Sequence, residues 1–515
     1  MIDYIVVGAG SAGCVLANRL TERGDRAVLL MEAGPPDARS EIRIPAAYPK
    51  VFGTEYDWDF RTVAQPGLNG RELRWPRGRT LGGSAAINAQ IWTRGHPADF
   101  DEWARAGGPE WRRERVRGQL VRAERPVPGD GSGPLWVGPL RDPDPRAREF
   151  VRSCGETGLA TVDGLALSEA EGSGLTWVSQ HEGQRFSVAD GYLRPALERG
   201  NLTVRAGTCV RRILFDGTRA VGIEYEDADG VRREEYCRRE VILAAGAIGS
   251  PHLLLVSGIG PPGELARREI PVLVAAPDVG AHLVDHLQVP VIGVPSEAGE
   301  PAWDLRRYVQ TRRGPLSSNL AEAAAFVRLD PAAPGPDVEL LWMPVQFRDH
   351  GRSGTGAGST VCVVLLRPRS RGRLGLAAAD IATAPTIDPR YLADPADTET
   401  LVAGIRFTLR VLSRFPADAA FEPETVSLAA DAGTGEIRDY ISHNAETLYH
   451  PAGTCRMGQD PASVVDPRLE VRGVTGLRVA DASVMPHLPA AHPNAATVAI
   501  AENAARLILE GTRNA

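Results

Sequence analysis

Lysine is almost missing from this chain of 515 residues. Lys50 is the one example, and arginine supplies the rest of the 58 basic side chains, a bias that carries no functional reading. Cysteine is sparse as well. Cys14, Cys154, Cys209, Cys237, Cys362 and Cys455 are scattered, with no C-x-x-C pair and no zinc spacing. Several fall in apolar, strand-like runs, where buried free thiols are expected. Reduced cysteines point to the cytoplasm. No apolar run approaches membrane-spanning length, so no integral membrane segment is expected. An apolar strand begins at residue 2, which leaves no room for a signal peptide. With 65 acidic residues the net charge is −7, which argues against nucleic acid and anionic membrane surfaces as partners. Internal repeats and low-complexity tails are also lacking. The length exceeds one ordinary core, so two domains or more are expected.

What is present begins at the first residues. Ile2 to Val7 is a short apolar run suited to a buried parallel strand. It enters the glycine-rich turn Gly8-Ala9-Gly10-Ser11-Ala12-Gly13, then a helical pattern from Cys14 to Leu20. A second apolar strand, Ala27 to Met31, ends on Glu32. This is a βαβ unit with a glycine-rich first turn and an acid roughly 20 residues on. Gly8 permits the tight turn, Gly10 lets backbone approach a pyrophosphate, and Gly13 lets helix pack on strand. The helix N-terminus offers unpaired N–H groups to phosphates, and Glu32 can accept from ribose hydroxyls. The unit predicts a dinucleotide site without naming the dinucleotide.

Residues 35 to 110 read as mostly irregular, but Trp58, Phe60, Trp75, Trp92 and Trp103 argue that the segment is pinned in place. Within it lies a second glycine-rich element, Gly78 to Asn88. Residues 111 to 145, charged and rich in Pro and Gly, read as a surface excursion. Phe150 to Gly158 reads as a helix, and 201–210 and 211–226 as strands. Glu240 to Ala245 is another buried strand, running into Gly246-Ala247-Ile248-Gly249-Ser250-Pro251 and a helix, His252 to Ser257, capped by Gly258. Its strand is expected in the same parallel sheet. From 290 to 440 nucleotide motifs vanish. Strands at 338–341 and 360–366 and helices at 397–412 and 436–444 suggest a separate, mostly antiparallel substrate domain. Glycines return near residue 449. A strand, 477–480, ends at Asp481, and a terminal helix covers 495–509.

Several blocks together resemble the glucose–methanol–choline (GMC) oxidoreductases, which are FAD enzymes. Gly78 to Trp92 (GRTLGGSAAINAQIW) fits one family signature except at Ala85, where Gly, Ser or Thr is usual. Gly246 to Gly260 (GAIGSPHLLLVSGIG) fits the second throughout. The Gly8 to Glu32 unit, Arg94 to Phe100, Tyr449 to Gly458 (YHPAGTCRMG) and Val479 to Asn494 are also similar, in the family's order along nearly the whole chain. The resemblance implies an α/β fold: a Rossmann-like FAD-binding domain with an inserted α+β substrate domain on a mostly antiparallel sheet. The expected division is 1–150, 190–290 and 445–515 for FAD, and 151–189 and 291–444 for substrate. Gly8, Gly10, Ser11, Ala12 and Gly13 would lie at the pyrophosphate and Glu32 at the adenosine ribose. Arg79, Gly82, Gly83 and Asn88 would pass beside the isoalloxazine, and Val210 would touch the adenine. Gly246, Asp481, Ala482, Pro493 and Asn494 would complete the site. Ile87 stands where some relatives attach the flavin through a histidine, so FAD is expected to be non-covalent. His282 replaces the family's usual Asn and is expected to affect packing alone.

His450 and His492 match the family's active-site pair. Alcohol oxidation removes an O–H proton and moves a hydride from carbon to flavin N5. An imidazole titrates near neutrality and can take that proton, while a second can hold the hydroxyl oxygen. His450 is read as the main base and His492 as its partner, with the reverse assignment open. The spacing of His443, His450, His487 and His492 matches no metal motif, and no metal is expected. Ser84 and Ser250 lack a nucleophile elbow, which argues against hydrolysis. His96, His252, His282 and His286 are read as structural. Trp58, Phe60, Ile91, Met343, Phe347 and Tyr449 are candidate substrate contacts. The expected activity is FAD-dependent oxidation of a primary or secondary alcohol, with reoxidation by oxygen or another acceptor. The rivals are a non-redox FAD-containing lyase that cleaves cyanohydrins, and a redox-dead FAD-binding scaffold.

Overall fold

The computed structural model describes residues 1–293, 303–352, 357–416 and 426–511. Its first organising element is a five-stranded parallel sheet. The strand order is Leu202–Arg205, Val28–Met31, Tyr4–Val7, Glu240–Leu243 and Leu477–Val479. Tyr4–Val7 is central and pairs in register with both neighbours, Val7 opposite Met31 on one side and Leu243 on the other. Its residues and those of Val28–Met31 are all buried. A strand covered on both faces reads as an unbroken apolar run, which is why these segments show no alternation. Because the strands are parallel, their carboxyl ends meet at one edge. Gly8, Glu32, Gly246 and Asp481 are therefore gathered there from four distant parts of the chain.

The helix after Tyr4–Val7 is Ser11–Thr21. It packs on the terminal helix, Pro493–Gly511. Arg19 forms a two-pronged ion pair with buried Glu502 (Arg19 Nη2 to Oε1, 2.7 Å), and the Tyr192 hydroxyl donates to the same carboxylate at 2.6 Å. The second glycine-rich unit differs from expectation. Its helix spans Gly246–Val256, so the glycines form its first turns instead of a loop before it. Pro251 inside it has no N–H for the Ala247 carbonyl one turn back. The Thr454 hydroxyl donates to that carbonyl instead, at 2.7 Å.

A six-stranded antiparallel sheet is the second organising element. Its order is Glu446–Thr447, Leu287–Gly293, Ser359–Leu365, Val338–Met343, Ala323–Val327 and Gly172–Leu175. The helix Pro395–Leu412 packs on one face. Side chains alternate between faces along a strand. Val338, Leu340 and Trp342 join the core shared with that helix, while Leu341 and Met343 join a second apolar cluster on the opposite face. Period two places Glu339 on this second face, with Leu341 and Met343.

Two further readings of the connecting segments change. Residues 35–110 contain a helix, Pro97–Gly107, opened by a capping box in which the Asp99 carboxylate accepts from His96 N at 3.0 Å. Residues 111–145 are not simply a surface excursion. Trp111 is fully buried, and the helix Arg113–Ala123 turns Val116, Leu120 and Ala123 inward. The terminal helix covers that stripe. Among the described residues no helix is long and apolar enough to cross a membrane.

Candidate active site

One large cavity runs from the carboxyl edge of the parallel sheet to the second face of the antiparallel sheet. At the sheet edge the backbone is compressed. Gly8 has φ +100°, and a Cβ there would lie 2.6 Å from the Ala244 carbonyl oxygen. Gly10 and Gly83 bring the two glycine-rich turns into contact, since a Cβ on Gly83 would fall 2.6 Å from Gly10 Cα. The helix Ser11–Thr21 has no side-chain cap, and Gly10, Ser11 and Ala12 line the cavity. Its first N–H groups are thus available to an anion.

Two carboxylates flank this end. Glu32 accepts from Ala9 N and Gly34 N, both at 2.9 Å, and burial pushes it up to about 7. Asp481 accepts from Gly246 N at 2.9 Å, the Ser250 hydroxyl at 2.5 Å and Ser483 N at 2.8 Å, while burial raises its pKa. The Ser11 hydroxyl donates to Asn494 Oδ1 at 2.7 Å, which ties the first helix to the start of the last. Val210, Ala482, Pro493, Asn494, Gly246 and Asn88 line the cavity, but Gly13, Gly82 and Arg79 do not. Gly13 lies behind the turn, where a Cβ would meet the Gly8 oxygen at 1.8 Å. Gly82 N donates to Ala9 O at 2.8 Å. Arg79 is turned onto the Trp58 ring, 5.3 Å from its centroid.

At the other end stand the histidines. His450 and His492 each retain 9% exposure, line the cavity and meet edge to face with ring centroids 4.8 Å apart. The backbone of His450 is pinned by buried Asp285, whose carboxylate accepts from His450 N at 2.7 Å and from the Thr447 hydroxyl at 2.6 Å. His286, read from sequence as structural, stands directly behind the pair. Its Nδ1 is 2.9 Å from His450 Nδ1, and its Nε2 is 3.1 Å from the Leu366 carbonyl oxygen. His492 Nε2 is 3.1 Å from Glu339 Oε1. Glu339 is fully buried, and its other oxygen has no partner. Neither His286 nor Glu339 was found from sequence. A lone carboxylate in the apolar strand Val338–Met343 was the available signal for the second.

These contacts decide tautomers. The Leu366 carbonyl can only accept, so His286 carries its hydrogen on Nε2. Burial, and then the neighbouring His492, push His286 down to about 3, so it is neutral and its Nδ1 is an acceptor. His450 must therefore place its own hydrogen on Nδ1, which leaves Nε2 with a free lone pair. Burial, and then the His492 and His286 rings, hold His450 well below the usual imidazole range. The arrangement presents a neutral base.

All six candidate substrate residues line the cavity. Trp58 is stacked on Phe60 at 5.7 Å with planes 3° apart, and the Tyr449 hydroxyl lies 2.7 Å from Nδ1 of neutral His350. Ile381, Ala382, Ala384 and Pro385 also line it, in company with Thr208, Val210 and His252. No signal in the sequence places that loop there.

Two family models, both described as GMC oxidoreductase, match the chain over residues 2–288 and 368–501. An uncharacterized GMC-type oxidoreductase of Mycobacterium tuberculosis is 44% identical, over 98% of this chain and 99% of its own. An alcohol dehydrogenase (acceptor) of Pseudomonas putida is 39% identical over 99% and 96%, and the human mitochondrial choline dehydrogenase 38% over 98% and 89%. Among solved structures, pyridoxine 4-oxidase from Mesorbium loti superposes with a TM-score of 0.90 at 32% identity, covering 99% of each chain. The chain belongs to the GMC oxidoreductases, a family of FAD-dependent alcohol oxidoreductases.

Proposed function

We propose that the protein oxidises a primary or secondary alcohol to a carbonyl compound, with His450 as the base and FAD held non-covalently. The observation that carries the assignment is the chain Leu366 O, His286, His450, which leaves one bare imidazole nitrogen at a cavity wall. The sheet edge fits the cofactor: an uncapped helix start, a backbone compressed onto glycine, and a buried acid at the end of the second strand. Gly8, Gly10, Ser11 and Ala12 would receive the pyrophosphate, Glu32 the adenosine ribose, Val210 the adenine, and Asn88, Gly246, Asp481, Ala482, Pro493 and Asn494 the remainder. Gly13, Gly82 and Arg79 would act from behind that surface. Ile87, which lines the cavity, offers no nucleophile for a covalent link. Bound FAD would supply the hydride acceptor, with oxygen or another acceptor taking the electrons onward.

The protein's own part is positional and protonic. His450 Nε2 takes the hydroxyl proton while the C–H bond gives up its electron pair as hydride and the C=O bond forms. His492 holds the substrate oxygen from the second side, and Glu339, accepting from its Nε2, fixes the orientation of that ring. Burial, which holds His450 below the usual imidazole range, keeps the ring unprotonated at neutral pH, at a cost in basicity. The five-stranded sheet and its glycine turns would form the FAD half of the molecule (1–150, 190–290, 445–515), and the antiparallel sheet the substrate half (151–189, 291–444), except that its strand Glu446–Thr447 and the start of Leu287–Gly293 fall on the FAD side of those bounds.

Anaerobic mixing with an alcohol is expected to bleach the flavin spectrum. A lyase would turn over a cyanohydrin and leave the flavin oxidised, so an unbleached flavin with every alcohol would overturn the oxidation.

The loop at 381–385 would close the adenine end, held by Arg211 Nη2 to Asp380 Oδ1 at 2.5 Å. Asp380 is half exposed, so the pair is worth little in free energy. Arg211→Ala is expected to release FAD about fivefold faster. Recovery of flavin fluorescence after dilution measures this, and an unchanged release rate would remove the latch.

A further inference from the structure

The two ends of the cavity differ in chemistry, and the difference bears on which alcohol enters. Resting on the oxidation proposed above, we infer that the substrate is an uncharged alcohol with an extended apolar body, and that quaternary ammonium alcohols, hydroxy acids and sugars are rejected.

The carboxylates that line the cavity are Glu32 and Asp481. Both stand at the carboxyl ends of parallel strands and are held there by backbone N–H groups. At the histidine end two buried carboxylates stand behind the wall without lining it, Glu339, engaged by His492, and Asp285, engaged by His450 N and the Thr447 and Tyr391 hydroxyls. The charged side chain on the wall at that end is Arg77, half-buried, donating to the Tyr449 carbonyl at 2.5 Å and backed by the carboxylates of Asp285 and Asp57. A quaternary ammonium group would meet a guanidinium on the wall and no carboxylate that is not already engaged. The rings of Tyr48, Phe52 and Tyr449 could attract a cation by their faces. That attraction is modest and short-ranged, and a like charge on the same low-dielectric wall opposes it. An anionic substrate fares no better, because the Arg77 charge is offset by Asp285 and Asp57 behind it, and its Nε and Nη2 donate to the Pro76 and Tyr449 carbonyls.

A sugar needs several donors and acceptors, and most of those at this end are committed to the protein. Gln90 Nε2 donates to the Pro45 carbonyl at 3.2 Å, and its oxygen accepts from Gln180 at 2.8 Å. Asn88 Oδ1 accepts from Arg185 Nη1 at 2.8 Å and from Gln90 N at 3.0 Å. Gln288 Nε2 donates to the Thr447 carbonyl at 3.2 Å, which leaves its Oε1 as a single unpartnered acceptor, and the Tyr449 hydroxyl is taken by His350. What the wall offers beyond the histidine pair is apolar surface, from Phe52, Ile91, Leu341, Met343, Phe347 and Leu448.

Burying a methylene is worth about 0.8 kcal/mol, close to fourfold in an equilibrium or rate ratio. Along butan-1-ol, hexan-1-ol and octan-1-ol, kcat/KM of the flavin-loaded enzyme is expected to rise two- to fourfold per added methylene. Choline, 6-hydroxyhexanoate and glucose are expected to fall at least 100-fold below octan-1-ol, with benzyl alcohol between. The assay is dye reduction in parallel with oxygen uptake. A series flat in chain length, or choline, the hydroxy acid or glucose matching octan-1-ol, would overturn the substrate class and leave the oxidation standing. A flavin bleached by none of the panel would instead sink the oxidation, and this assignment with it.

Discussion

In the His450→Ala variant, the rate of flavin reduction by substrate is expected to drop about 1000-fold while FAD stays bound. A positioned general base typically contributes 10²- to 10⁴-fold, and the hydrogen-bonded chain behind His450 leaves no other ring in position to replace it. His286 is sealed behind it, and His492 has its Nε2 engaged with Glu339. FAD retention should be unchanged, because His450 makes no hydrogen bond to the glycine turns or to Glu32 and Asp481. A pH profile adds a second, signed reading. A base with a lowered pKa keeps its lone pair to lower pH, so the rate in the parent protein should stay flat as pH falls through 6.5, where an ordinary imidazole is half protonated. Stopped-flow reduction across that range measures both effects. Loss of half the rate at or above pH 6.5, or unimpaired reduction in a His450→Ala, His492→Ala double variant, would remove His450 from its role.

The second large effect is expected at Glu339. The near-isosteric Glu339→Gln keeps the volume and a hydrogen-bond partner for His492, but takes away the charge. Flavin reduction is expected to slow about 100-fold, with kcat affected more than KM, because the loss falls on charge that develops during the reaction. Stability should move the opposite way or not at all. A carboxylate buried with one oxygen unpartnered is costly, and a neutral amide relieves part of that cost. Thermal melting beside single-turnover kinetics distinguishes the cases. A variant less stable yet equally fast would make Glu339 a packing residue.

Reading the chain without its structure succeeded where the signal was local. A strand, a glycine turn, a helix and an acid follow one another within 32 residues, and each of their roles depends on neighbours in sequence. The same holds for the alternation of elements that placed Glu240–Leu243 in the parallel sheet. It failed where a residue's role depends on a distant partner. Nothing near His286 reveals that its ring meets one 164 positions later, and Glu339 shows only as an interruption in an apolar run. Arg79 lies inside a signature yet turns onto Trp58. The helix Arg113–Ala123 was hidden because arginines surround its narrow apolar stripe. The turn expected before His252 was helix already, since Thr454 supplies the donor that Pro251 lacks.

The parallel sheet also has a consequence for how the protein comes into being. Its central strand is Tyr4–Val7 and one of its edge strands is Leu477–Val479. Synthesis therefore delivers the centre about 470 residues ahead of this edge strand. Until then Glu240–Leu243 carries an open row of backbone donors and acceptors, the kind of edge that recruits strands from other chains. Contacts so far apart in sequence form slowly, and a large α/β chain folds through intermediates that expose such surface. The nascent chain is thus exposed over a long interval, and escape from aggregation depends on how quickly Leu477–Val479 docks on Glu240–Leu243.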